Sequence, residues 1–207
     1  LRVDQAMERL STGKRINHAR DDSAGQAIAT RLAAEIEGLA MASRNVADGQ
    51  SLVDTAESAL VETHALLLRM REISVQAANG TLSDADNTAL DAEFQQLVKE
   101  IDRIAQNTTW AGAALLNGNA TGDEDSTATL SFQAGVGNNS GADVFDVTVK
   151  NADATTLDIY DDSTTSGTND VNLLSQSSAQ TAIGLVDTAI ATVSSCLLYT
   201  SDAADDA

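Results

Sequence analysis

Side-chain chemistry in this chain would have to come from a small set of residues. There are two histidines, His18 and His64, and one cysteine, Cys196. Neither histidine has a second histidine or a carboxylate at metal-ligand spacing. His64 falls three residues before Leu67 and reads as a partly buried helix residue rather than a ligand or a base. Serines are numerous, yet no GxSxG elbow occurs and neither histidine sits in a triad context. A glycine-rich phosphate loop of the Walker type is also missing. The acidic runs Asp123-Glu124-Asp125 and Asp161-Asp162 lack the spacing and closing glutamate of an EF-hand. Solvated loop charge is their default reading, with calcium as the alternative. A lone cysteine rules out an internal disulfide framework and a thiolate metal cluster. The expectation is no enzyme, no catalytic residue, no cofactor and no metal site.

Composition points instead to packing. Phe, Trp and Tyr supply only 3% of the 207 residues, so Ala, Leu, Val and Ile carry nearly all of the apolar content. Such residues suit thin helix-on-helix seams better than rounded cores or pockets. Proline is absent, so no ring clash forces a helix to break. The net charge is −19 and uneven: residues 1–103 hold 11 basic against 17 acidic residues, whereas 104–207 hold only Lys150 against 14. A nucleic-acid binder needs clustered Lys and Arg to displace counterions, so nucleic acid is not an expected partner. No run approaches 18 consecutive apolar residues and no cleavable signal peptide is visible, so membrane insertion is not expected.

The elements follow from periodicity. From roughly Asp21 to Asn79 an apolar ladder repeats every seven residues through Leu32, Leu39, Val46, Val53, Leu60 and Leu67, with Ser74 in register. Ala42, Gly49, Ala56, Met70 and Ala77 follow three residues behind, with Glu35 and Thr63 as polar exceptions. Leu52, Ala59, Leu66 and Ile73 add a third row. This is one long helix with a wide apolar face. At 1.5 Å per residue it would span roughly 90 Å and would need partners along its length. Asn79-Gly80 signals a stop, because both residues tolerate left-handed backbone. Ser83 with Asp86 then forms a capping box, opening a shorter antiparallel helix through Leu90, Phe94, Leu97, Ile101 and Ile104.

After Trp110 the helical period disappears. Thr127–Gln133 and the alternating Phe145, Val147 and Val149 flank a turn-rich Gly135–Asn139 stretch, which predicts a β-hairpin. Residues 151–172 read as polar, with at most one short strand near Leu157 and Ile159. A last helix starts near Ser175 or Ser177 on Ala179, Ala182, Val186, Ala189 and Val193. Residues 196–207 break its pattern and read as a non-native tail. The fold class expected is mainly α with a small β insertion: an elongated helical bundle of long heptad helix, antiparallel shorter helix and C-terminal helix, plus the hairpin. Its parts are 1–116, the insertion 117–174, the C-terminal helix 175–195 and the tail 196–207.

The motifs themselves resemble the bacterial flagellins. Leu10-Ser11-Thr12-Gly13-Lys14-Arg15-Ile16-Asn17, followed by Ala19 through Ala29, looks like the N-terminal motif of that family. Ala42-Ser43-Arg44-Asn45, Ala56-Glu57-Ser58-Ala59-Leu60 and Leu68 through Gly80 keep its spacing, as do Ser178-Ala179-Gln180 and Val186-Asp187-Thr188-Ala189-Ile190. The likeness covers about residues 10–117 and 173–195, and the hairpin loosely.

The resemblance implies a rod-shaped core domain in a self-assembling filament of the motility organelle. It implies export by the flagellar apparatus with a chaperone, an extracellular location, and contact with a vertebrate toll-like receptor. The matching receptor positions are Leu68, Arg69 and Glu93. Candidate subunit-packing residues are Leu32, Leu39, Val46, Gly49, Val53, Leu60 and Leu67. The terminal segments that pair along the family's inner channel have no counterpart, so the expectation is that the chain as it stands does not polymerise. Two other readings are a surface-exposed binding protein using Phe132, Phe145 and Tyr160, and a hook–filament junction protein.

Several residues keep two readings at this stage. Gly38 and Gly49 are either tolerated surface glycines or points of close approach by a neighbouring backbone. Asn45 and Asp48 are either solvated or register-fixing near a seam. Arg15, Arg20, Asp21 and Asp22 either complement a helix dipole or make inter-subunit ion pairs.

Overall fold

A computed structural model describes residues 2–117, 127–160 and 171–205. Four helices account for most of it: α1 (Arg2–Thr12), α2 (Ser23–Ala77), α3 (Asp84–Asn107) and α4 (Gln176–Asp205). Two antiparallel pairs of strands complete the elements, β1 (Thr109–Trp110) with β2 (Ala113–Ala114) and β3 (Thr127–Gln133) with β4 (Val144–Lys150). The protein is mainly helical with small hairpins. The chain divides into two compact units, Leu1–Ala47 with Gln133–Phe145 and Asp48–Phe132 with Asp146–Ala207. The acidic runs at 123–125 and 161–162 lie outside the described residues.

The first unit is organised by local polar contacts. Helix α1, which has no place in the periodicity argument, stops at Gly13, whose φ of 65° is cheap only without a Cβ. The Gly13 N–H closes the last turn on the Arg9 carbonyl at 3.0 Å. Asp21 then gathers the returning chain. Its carboxylate accepts from the Asn17 and His18 backbone N–H groups at 3.3 Å each and from Gln5 Nε2 at 2.8 Å. The Asn17 hydrogen bond is the largest cause holding the Asp21 carboxyl below its ordinary value. Asp22 caps α2 by accepting the Gly25 N–H at 2.9 Å. Both acids of the pair are thus engaged within the chain, while Arg15 and Arg20 remain exposed.

The hairpin tip belongs to this unit too. Asp143 ties it: its backbone carbonyl accepts from Ala134 and Gly135, and its side chain from the Asn139 N–H at 3.0 Å. Val136 lies over Gly38, where a Cβ would come within 2.5 Å of Val136 Cγ1. Asn45 Nδ2 donates to the Gln133 carbonyl at 2.9 Å. Neither reading of Gly38 holds as stated: the position is closely approached, but by the Val136 side chain and not by a neighbouring backbone. Asn45 fixes the neighbouring loop.

The second unit holds the larger core. Ala42 apart, the buried face of α2 runs from Gly49 onward through Val53, Ala56, Leu60, Leu67 and Met70, as the heptad pattern requires. The polar exceptions Thr63 and Ser74 are fully covered as well. Each hydroxyl donates to the carbonyl four residues back, Ala59 at 3.0 Å and Met70 at 2.8 Å, which satisfies it without a cross-helix partner. Helix α2 ends at the predicted turn, although neither Asn79 nor Gly80 takes a left-handed φ. The Asn79 side chain instead shapes the turn beyond the helix, its Oδ1 accepting the Thr81 N–H at 3.3 Å.

The Ser83/Asp86 capping box opens α3 as expected. Ser83 also holds the Asp86 carboxyl below its ordinary value. The buried stripe of α3 is Asn87, Phe94, Val98, Ile101 and Ala105, so Leu90, Leu97 and Ile104 are only partly covered. Between α3 and β3 the short β1–β2 hairpin turns through Ala111 and Gly112, at φ 49° and 89°.

The segments after β4 correct an expectation. No strand forms at 151–160 or 171–175, and they are not merely polar: Ala152, Ala154, Leu157, Ile159, Val171 and Leu173 are all buried. Irregular backbone can be buried only where its polar groups find partners, and α3 supplies them. Asp102 accepts the Ala154 N–H and Asp91 the Leu173 N–H, both at 2.8 Å, while Gln95 Nε2 donates to the Val171 carbonyl at 3.0 Å. Burial pushes the Asp102 carboxyl above its ordinary value, against the opposing Ala154 hydrogen bond.

Helix α4 starts behind Ser175, whose Oγ accepts the Ser178 N–H at 3.1 Å. It does not break at Cys196 but runs on to Asp205. Cys196 extends the buried row Ala179, Ala182, Val186, Ala189 and Val193 in the same three-and-four rhythm, so the changed sequence keeps the helical face for one more turn. Between Gln176 and Leu198, α4 is long and apolar enough to cross a membrane, with a mean hydropathy of 1.6. Counting uninterrupted apolar runs misses this, because its Ser and Thr residues break the run without adding charge.

Candidate functional site

The long helix presents two kinds of apolar row. Across its first turns Ile28, Leu32, Ile36 and Leu39 face solvent, Leu32 at 47% and Leu39 at 53% exposure. Val46 is half-buried and Gly49 buried. Farther along, Val53, Leu60 and Leu67 are covered by the chain's own helices. The seven candidate packing residues therefore separate. Val53, Leu60, Leu67 and Gly49 are spent on the internal core, and Leu32 and Leu39 remain open to another molecule. The physical reason is coverage: the same heptad face is presented throughout, but covering elements meet it only over part of its length.

Sequence reasoning missed an outer row. Val61, Leu68 and Val75 lie seven apart, each about half exposed at 51%, 49% and 50%. The signal was present, since each follows a ladder position by one residue. Asp54, Glu57, Ser58, Val61 and Glu62 line a shallow open depression on the same helix.

Beside Leu68 the structure brings Arg69 and Glu93 together. Arg69 Nε and Nη2 donate to Glu93 Oε1 at 3.1 and 2.8 Å, and Nη1 donates to Glu72 Oε2 at 2.6 Å. This fork clamps α2 to α3. Hydrogen bonding to Glu93, then to Glu72, holds the guanidinium above its ordinary pKa. Two residues on, Arg71 Nε donates to Asp187 Oδ1 at 2.6 Å and joins α2 to α4. All of these side chains are about half exposed or more, so solvent screens the pairs and they add little to stability. Their value lies in fixing register.

The residues weighed for chemistry are dispersed. His18 Nε2 pairs with Glu8 Oε1 at 2.7 Å near the end of α1, and His64 is half-buried on α2. Cys196 is buried, and its thiol is pushed up by desolvation. Among the described residues no three His, Cys, Asp or Glu side chains converge to hold a metal ion.

Fold and surface together define a class: a mainly helical protein with a hairpin insertion, whose long helix carries exposed apolar rows. The model of the bacterial flagellin N-terminal helical region matches residues 1–121, and the chain belongs to the bacterial flagellin family. A flagellin of Halalkalibacterium halodurans is 42% identical over 190 residues, covering 92% of this chain and 64% of that protein. The chain spans smaller shares, 37% and 31%, of flagellins from Salmonella muenchen and Vibrio cholerae. Among solved structures, Bacillus cereus flagellin superposes with a TM-score of 0.60 at 32% identity, covering 79% of this chain and 84% of that one. A flagellar hook-associated protein from Vibrio parahaemolyticus reaches a TM-score of 0.68 at 15% identity over 91% and 90% of the two chains, which is a likeness of fold alone.

Proposed function

We propose that this chain is part of a structural subunit of the bacterial flagellar filament, acting by self-association and not by catalysis. One observation carries the reading: the heptad row that is buried at Val53, Leu60 and Leu67 continues, uncovered, through Leu32 and Leu39. Uncovered rows of this kind mark protein contact surfaces, and in a flagellin the complementary surface is supplied by other copies of the chain. The outer row Val61, Leu68 and Val75 is a second contact surface of the same type. The reading carries with it export through the flagellar apparatus with a chaperone, and an extracellular location. Leu68, Arg69 and Glu93 would form part of a contact with a vertebrate toll-like receptor.

The test is assembly of the chain with the family's terminal segments restored. Sedimentation and negative-stain imaging should show filaments from that chain. Leu32→Ser combined with Leu39→Ser should abolish them while leaving the monomer's unfolding transition in place. A restored chain that stays monomeric under filament-forming conditions would overturn the proposal.

A further inference from the structure

The turn that joins α2 to α3 carries a dipeptide with a chemistry of its own. We propose that Asn79-Gly80 is a site of spontaneous modification, in which the Asn79 carboxamide is lost through a cyclic imide and replaced by aspartate and isoaspartate.

Three features of the turn support the reaction. Both residues are exposed and lie outside the helices, between Ala77 at the end of α2 and Asp84 at the start of α3. The attacking atom is free: Asn79 and Leu82 donate their backbone N–H groups to the Gln76 and Asn79 carbonyls, whereas the Gly80 N–H has no hydrogen bond among the described residues. The electrophile is activated, because Asn79 Oδ1 accepts the Thr81 N–H at 3.3 Å and charge developing on that oxygen has a donor in place. Glycine adds no Cβ beside the attacking nitrogen.

The step balances without any redox partner. Hydroxide from solvent removes the Gly80 amide proton, and the nitrogen attacks Asn79 Cγ. The N–Cγ bond forms, the Cγ–Nδ2 bond breaks, and ammonia leaves. Water then adds to either carbonyl of the five-membered imide. Opening at one side leaves an ordinary aspartate where Asn79 stood, and opening at the other routes the backbone through the side chain and lengthens it by a methylene.

The other asparagines on α2 and α3 lack these features. Asn45 and Asn107 lie within helices, where the following N–H is committed to the helical ladder, and their own amides donate to the Gln133 and Arg103 carbonyls at 2.9 and 2.8 Å. Asn87 is buried in α3. Two consequences follow for the folded chain. A new carboxylate appears just past the C-terminal end of α2, where the helix dipole disfavours negative charge. The longer isoaspartyl backbone loosens the turn that holds α2 and α3 in the register clamped by Arg69 and Glu93.

The experiment ages the full chain at mildly alkaline pH and maps it with trypsin. Cleavage after Arg71 and Lys99 releases one peptide containing both Asn79 and Asn87, so the two are compared in the same molecule. Mass spectrometry reads the amide-to-acid exchange, and isoaspartyl methyltransferase labelling reads the rearranged backbone. Asn79 should convert about tenfold faster than Asn87, equivalent to about 1.4 kcal/mol in barrier, with isoaspartate prominent. Gly80→Ala supplies the second arm. An added Cβ would meet Gln176 only at 3.6 Å or more, ordinary contact, and the Gly80 φ is not left-handed, so the variant should fold normally. Its Asn79 should convert several-fold more slowly. Equal loss at Asn79 and Asn87, or an unchanged rate in Gly80→Ala, would overturn the proposal.

Discussion

Leu67 and Leu68 are adjacent in sequence, identical in type, and on the same helix of the same unit, yet Leu67 is 0% exposed and Leu68 is 49% exposed. Replacing each with alanine separates what packing contributes from what residue type contributes. Alanine at Leu67 loses the transfer free energy of the removed carbons and leaves a cavity between α2 and its covering helices, which together cost about 2–5 kcal/mol. Alanine at Leu68 leaves no cavity, because solvent fills the space. Burying a whole leucine is worth about 1.5–3 kcal/mol, so half a side chain sets a ceiling of about 1.5 kcal/mol, less the small gain in helix propensity. Urea unfolding followed at Trp110, the single tryptophan and a member of the same unit, reads both variants directly. The midpoint should fall substantially for Leu67→Ala and hardly at all for Leu68→Ala, with similar slopes. Comparable losses in the two variants would mean that the heptad assignment of the buried face is wrong.

Two further outcomes test the polar and glycine contacts. A carboxyl whose folded pKa is raised gives its full stability below the unfolded value of about 3.9 and loses it as pH rises through the folded value. Asp102, raised by burial, is of this kind, so its ionised form costs stability at neutral pH. Asp102→Asn keeps an acceptor for the Ala154 N–H, so it should be at least as stable as the parent at neutral pH. It should lose that advantage in acid, as read by thermal unfolding across pH. For Gly38→Ala, the helix-propensity gain of about 1 kcal/mol should be offset by collision with Val136, and should reappear when Val136→Ala is added. A double-mutant cycle by urea unfolding measures that coupling, and no coupling would mean that Val136 does not rest on Gly38.

Much of the helical architecture was legible because long helices announce themselves by repetition. A seven-residue apolar repeat over more than forty positions of one helix has few other solutions, and the Ser83/Asp86 box marks the start of α3 through local hydrogen bonds alone. The β3–β4 hairpin was legible for a similar reason, with alternation on both sides of a glycine-rich turn. Helix α1 was missed because its apolar positions Val3, Met7 and Leu10 span too few turns to stand out and are exposed. The buried segments at 151–160 and 171–173 were missed because irregular backbone has no period. What makes their burial possible is a set of acceptors and donors on α3, more than fifty residues away in sequence.

The candidate contact surface shows the same division. The sequence by itself determined which residues of α2 form one face, because a helix places every seventh residue on the same side whatever surrounds it. It also carried the motifs by which the chain belongs to the flagellins. It could not determine which stretch of that face the chain would cover itself, since Leu32 and Leu67 are equivalent in pattern. Only the tertiary structure decided that Leu67 is core and Leu32 is surface, because burial depends on what packs opposite a residue, and that partner is set by long-range contacts rather than by local period.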